Sequence, residues 1–87
     1  MSKREFEFSK EFDKKISKLK GKEARNLFNK IEEILNCEDI NHYKNLKHSL
    51  KLYKRVHVNT YFVILFQDQR GLIFFVDYQH YDKIYKN

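Results

Sequence analysis

Two apolar runs, "YFVILF" (Tyr61–Phe66) and "LIFFV" (Leu72–Val76), stand a few residues apart on either side of "DQRG", Asp68 to Gly71. Neither alternates apolar with polar residues, the pattern of a strand with one wet face, so both are expected to be buried on two faces or nearly so. The segment between them is short enough for a hairpin. A chain that carries such a hairpin must also carry its cover. Upstream helices would supply it on one face, and an apolar segment of a partner on the other.

The rest of the chain supplies those helices. "EFEF", Glu5 to Phe8, alternates with the period of a half-buried strand and runs into Ser9, a helix N-cap residue. Phe12, Ile16 and Leu19 then recur at helical spacing, and Gly21 is placed to end that helix. A second helix is expected from Glu23 to Asn36, because Ala24, Leu27, Phe28, Ile31, Ile34 and Leu35 share one face. A short connection makes the two an antiparallel pair whose apolar stripe needs a sheet. Cys37 to Leu50 is polar and irregular, with His42 and His48. Strands are expected over Leu52–Val58, Tyr61–Gln67 and Leu72–Asp77, joined through Asn59–Thr60 and Asp68–Gly71 and followed by the tail "YQHYDKIYKN". The fold class is therefore α+β: an N-terminal strand, an antiparallel helix pair and a three-stranded antiparallel meander, in the order β-α-α-β-β-β.

No proline, Gly/Ser linker or repeat marks a boundary, so residues 1–87 read as one domain. The 8 Phe and 6 Tyr supply much of its core volume. The single cysteine, Cys37, excludes an internal disulfide and a thiolate pair for structural zinc. A reducing, cytoplasmic setting is the expectation. No signal-peptide pattern opens the chain, and the longest apolar runs are too short to cross a bilayer, so no membrane partner is expected.

Charge is uneven. Residues 1–40 carry a net +1 and residues 41–87 a net +5. A basic half suits a polyanion such as nucleic acid, while a solvated lysine-rich surface is the plainer alternative. Along the first meander strand Arg55 and His57 share one face and Val56 and Val58 the other, with Tyr53 on the side of Arg55. Lys44, Lys47, Lys51 and Lys54 lie at or just upstream of it, placed to touch phosphates without reading sequence. If the meander folds as described, His48, His57 and His80 converge at one end or edge of the sheet. The competing reading is that scattered surface histidines are ordinary in a polar chain.

A metal site is not expected: there is no HxH, no HExxH and no cysteine pair. Nor is there a phosphate-cradling glycine loop, so no cofactor is expected. Histidines, cations and tyrosines suit RNA cleavage by the neighbouring 2′-hydroxyl. That reaction needs a base for the hydroxyl proton, an acid for the leaving 5′-oxygen, and positive charge at the phosphate. Imidazole, with an ordinary pKa of about 6.5, serves in the first two roles near neutrality. Tyr81 and Tyr85 are placed either to stack on bases or to anchor the tail. Asp77 and Asp82 can orient His80 or cap the tail.

In "LKHSLKLYKRVHVNTYFVILF" and "YQHYDKIY" the chain resembles the RelE/ParE superfamily of type II toxins, over nearly its whole length in element order. His80, Ile84 and Tyr85 fit the family's terminal pattern. Phe62 and Tyr81 depart from it, standing where many RelE-type ribonucleases have arginine, so the arginine-based catalytic set is not carried over. His48, His57–Val58 and His80 are similar to the histidine pattern of YafQ-like and archaeal RelE-like members. The resemblance implies a RelE-like fold and a ribosome-dependent mRNA endoribonuclease that arrests translation. His80 and His57 would be acid and base, with His48 assisting, Arg55 stabilising phosphate charge and Tyr85 orienting the substrate. It also implies a separate cognate, RelB-like antitoxin, with a heterotetramer as one form of assembly. ParE-type gyrase poisons and degenerate toxins that only bind an antitoxin share the fold and are the alternatives.

Overall fold

A computed structural model describes residues 4–40, 43 and 53–80 of the chain. The elements are β1 (Glu5–Phe8), α1 (Lys10–Ile16), α2 (Gly21–Asn36), β2 (Lys54–His57), β3 (Phe62–Gln69) and β4 (Leu72–His80), the order expected from the sequence. They build one open sheet ordered β1-β4-β3-β2. β2, β3 and β4 form the antiparallel meander, and β1 joins β4 in parallel through the pairs Glu5 to Leu72 and Phe8 to Phe75.

The unbroken apolar run dictates the place of β3. Val63, Ile64, Leu65 and Phe66 are all buried, which only a central strand covered on both faces permits. Alternation sends Ile64 and Phe66 to the helix-bearing face, where they pack with Phe12 of α1, Leu27 and Ile34 of α2, and Phe75 of β4. Val63 and Leu65 go to the outer face, against Tyr53 and Val76.

Ser9 does more than start α1. Its Oγ accepts from the Phe12 N–H at 3.0 Å, the expected cap, and donates to the Val76 carbonyl at 2.6 Å. Its own N–H donates to the Phe75 carbonyl at 2.9 Å, so one residue ties β1, α1 and β4 together. α1 ends earlier than the sequence suggests, at Ile16. The N–H groups of Lys18 and Leu19 reach back only three residues, to Lys15 (3.3 Å) and Ile16 (3.1 Å), which tightens and closes the last turn. Gly21, expected to end the first helix, instead opens α2 with φ 58°. The far end of α2 is closed by Arg4, whose N–H donates to Leu35 O at 3.2 Å and whose guanidinium donates to the carbonyls of Cys37 and Glu38.

The hairpin between β3 and β4 is tighter than "DQRG" implies. Gln69 pairs with Leu72, leaving a two-residue turn of Arg70 (φ 55°) and Gly71 (φ 97°). Two positive φ values are what a turn matching the strand twist requires, and Asp68 Oδ1 accepts the Gly71 N–H at 3.1 Å. β3 therefore reaches Gln69 rather than Gln67, and β4 reaches His80 rather than Asp77. One irregularity interrupts the pair. Leu65 faces Asp77 and Phe66 faces Phe75, so Val76 is an extra, unpaired residue, a β-bulge.

Candidate active site

The bulge decides where His80 goes. Because Val76 is left out of the ladder, Tyr78 sits opposite Ile64 and His80 opposite Phe62, in phase with the helix-bearing face. There Phe62 stacks on Tyr78 with ring centres 5.1 Å apart and meets His80 edge-on at 5.5 Å. Tyr61 lies nearly parallel to His80 at 5.9 Å. Tyr61 is 59% exposed. Asn59 fixes the approach to both rings, because its Oδ1 accepts the N–H of Tyr61 at 2.8 Å and of Phe62 at 3.0 Å. His80 is therefore held beside aromatic rings at the end of its strand.

A groove of about 620 Å³ opens here, lined by Lys15, Lys18, Phe62, Tyr78, Gln79 and His80. β1 pairs with β4 only as far as Phe75, so beyond that residue the end of α1 reaches β4 directly. The Lys15 ammonium lies 2.6 Å from Asp77 Oδ1. That carboxylate also accepts the Tyr78 N–H at 2.8 Å and the Gln79 side-chain amide. Asp77 is thus committed to α1 and its own strand and does not serve as an orienting partner for His80. Tyr78 is buried, and burial, with the Glu23 carboxylate adding to it, pushes its hydroxyl pKa up from 10.0. The phenol is held neutral in the groove wall. Among the described residues no group of three or more His, Cys, Asp or Glu side chains is arranged to hold a metal ion.

The cations of β2 lie elsewhere. Arg55 faces Leu65 and His57 faces Val63, both on the outer face, while Val56 packs toward the helices, as alternation along the strand predicts. His57 is exposed. Across the sheet its row continues through Val63 to Gln79, one position short of His80. The two imidazoles therefore end neighbouring rows on opposite faces and do not meet in one hollow beside Arg55. Simple alternation along β4, counted from Phe75, would have put His80 on the side of Arg55; the extra residue at Val76 reverses it. Lys54 follows Val56, and its ammonium donates to the Tyr43 carbonyl at 3.4 Å. His48, Tyr85, Lys44, Lys47, Lys51 and Tyr81 lie outside the described residues.

Sequence reasoning passed over Lys15, Lys18 and Tyr78 as groove residues. The i, i+3 spacing of the two lysines was legible, but the bare stretch of β4 that they border was not.

An open mixed sheet with two helices on one face and a groove at the end of its last strand defines the class of small RelE-type toxin scaffolds. The crystal structure of E. coli YafQ superposes with a TM-score of 0.75 at 19% identity, over 94% of this chain and 98% of that one. The toxin–antitoxin complex RelBE of E. coli gives 0.69 at 16% identity, over 88% of this chain and 95% of that one. At these identities the likeness is one of fold. Sequence carries it further: RelE4 of Methanocaldococcus jannaschii, which bears the name of a RelE toxin, is 40% identical over 74 residues, 83% of this chain and 77% of that protein. An uncharacterized protein of Methanosarcina mazei is 39% identical over 80 residues, 86% of this chain and 91% of that protein. No protein-family profile matches the chain. The chain belongs to the RelE toxin family.

Proposed function

We propose that this toxin is a metal-free mRNA endoribonuclease that works on translating ribosomes in the cytoplasm and is restrained by a cognate antitoxin. The observation that carries the reading is His80, an imidazole held by aromatic rings beside a groove large enough for a nucleotide. In the reaction the 2′-oxygen attacks the adjacent phosphorus as it loses its proton, the bond to the 5′-oxygen breaks, and that oxygen takes up a proton. The products are a 2′,3′-cyclic phosphate and a 5′-hydroxyl end. In-line displacement needs base and acid on opposite sides of the phosphorus. RNA laid in the groove meets His80, while His57 and Arg55 stand on the opposite face of the sheet, away from the phosphate at His80. His80 carries one of the two protons, and water on the open side of the groove carries the other.

The antitoxin partner is supported by the neighbours of this fold, which include the E. coli DinJ–YafQ and RelBE toxin–antitoxin complexes. An acidic antitoxin segment complements the +5 of residues 41–87. The deciding experiment is expression of the toxin alone, with cut sites mapped in translated and untranslated copies of one mRNA. Cuts confined to the translated copy and in frame with its codons are expected. Intact mRNA together with inhibited gyrase supercoiling would replace this reading with a gyrase poison.

A further inference from the structure

Lys15 and Lys18 bring two ammonium groups from the end of α1 into the groove where His80 stands, and no role so far accounts for both. Lysine near a helix C-terminus is ordinary, because it complements the negative end of the helix dipole. Lys14 answers that description: it lies in the last turn of α1, is exposed, and does not line the groove. Lys15 and Lys18 differ from it in what they face. Lys15 is held at 2.6 Å by Asp77, so much of its charge is already balanced. Lys18 is exposed and has no ion-pair partner among the described residues, although it shares the groove with His80 and the ring of Phe62. A strong local cation beside an aromatic wall recognises a phosphate attached to a base. A solitary anion or an apolar peptide would use only half of that surface.

Resting on the ribonuclease reading, we infer that Lys18 contacts a backbone phosphate of the single-stranded RNA next to the nucleotide held at His80, with Lys15, locked by Asp77, forming the fixed floor of that contact. α1 thus forms a second, electrostatic wall of the substrate groove, separate from the basic strand β2. The contact exists before and during the reaction, so it acts on binding rather than on the chemical step.

The test compares Lys18→Gln, Lys18→Arg and Lys14→Gln in the full chain, measuring mRNA cleavage on programmed ribosomes across a range of salt. Lys18→Gln is expected to raise KM about five- to tenfold with kcat nearly unchanged. It should also flatten the dependence of log KM on log salt by about 0.7, the share of one phosphate contact on a single strand. Lys18→Arg keeps the charge and should restore both, and Lys14→Gln should match the wild type. Unchanged KM and salt slope in Lys18→Gln, or an equal loss in Lys14→Gln, overturns the inference while leaving the ribonuclease reading in place. A wild-type protein that cuts no RNA overturns the ribonuclease reading, and this contact with it.

Discussion

The two faces of the sheet are built to different standards. On the helix-bearing face Phe12, Phe66 and Phe75 pack at zero exposure and Phe8 joins their ring cluster, with ring centres of Phe12 and Phe75 5.4 Å apart. On the outer face the buried apolar pair is Val63 and Leu65, bordered by Tyr53 and Val76, and the row then gives way to Arg55 and His57. Each face also carries one imidazole at the same end of the sheet. The packed face holds its histidine between rings at a groove, and the thin face leaves its histidine exposed. Packing and chemical readiness thus come together: the side with the dense core can fix an imidazole, and the other presents charge.

The largest expected effect tests that contrast directly. His80→Ala should lower mRNA cleavage by about 10²- to 10⁴-fold with the circular-dichroism spectrum unchanged. His57→Ala should cost far less, about tenfold at most, because His57 lies on the face opposite the groove. Equal losses would mean that the two faces contribute alike. Next in size is stability. Phe66→Ala should lower the unfolding free energy by about 3–5 kcal/mol in urea titrations, and Leu65→Ala by about 2–3 kcal/mol. A reversed order would show that the outer cluster is the stronger core.

Smaller effects sharpen the picture at the seam between the faces. Ser9→Ala removes both the cap of α1 and the hydroxyl donated to Val76, and should cost about 1–2 kcal/mol, with faster hydrogen exchange around the bulge. Unaltered exchange at Val76 and Asp77 would sever that link. The smallest effect is alkaline. Burial raises the Tyr78 pKa above 10.0, so the folded state keeps its proton more tightly than the unfolded chain does. The resulting stability is complete below the ordinary tyrosine pKa and is lost as pH rises through the higher folded value. Tyr78→Phe should make the unfolding midpoint less sensitive to pH above 10, and an unchanged alkaline slope would remove Tyr78 as its source.

Much of this scaffold was legible in the chain. The non-alternating "YFVILF" required a strand covered twice, and β3 is central. Ser9 read as a cap, and Glu23 to Asn36 as a helix, because side-chain oxygens and 3.6-residue periodicity act locally. What escaped were non-local features. Nothing in "EFEF" says that it lies parallel to β4, nor that it stops at Phe75 and leaves the rest of that strand to α1. The bulge at Val76 has no glycine to announce it, and the strand, expected to stop at Asp77, runs on to His80 and turns it to the helix-bearing face, away from the expected meeting with His57. The nearness of Lys18 to His80 follows only once both are known.

That surplus residue has a consequence for how the strand tolerates length. Val76 and Asp77 occupy together the seat opposite Leu65, so losing Val76 would leave Tyr78 across from Ile64 and His80 across from Phe62, as now. The hydroxyl of Ser9 would lose its acceptor, and Val63 and Leu65 one packing neighbour. The same deletion two residues later, at Tyr78, would throw Gln79 into the core. β4 therefore carries one spare link, placed where a shortening leaves the imidazole in step.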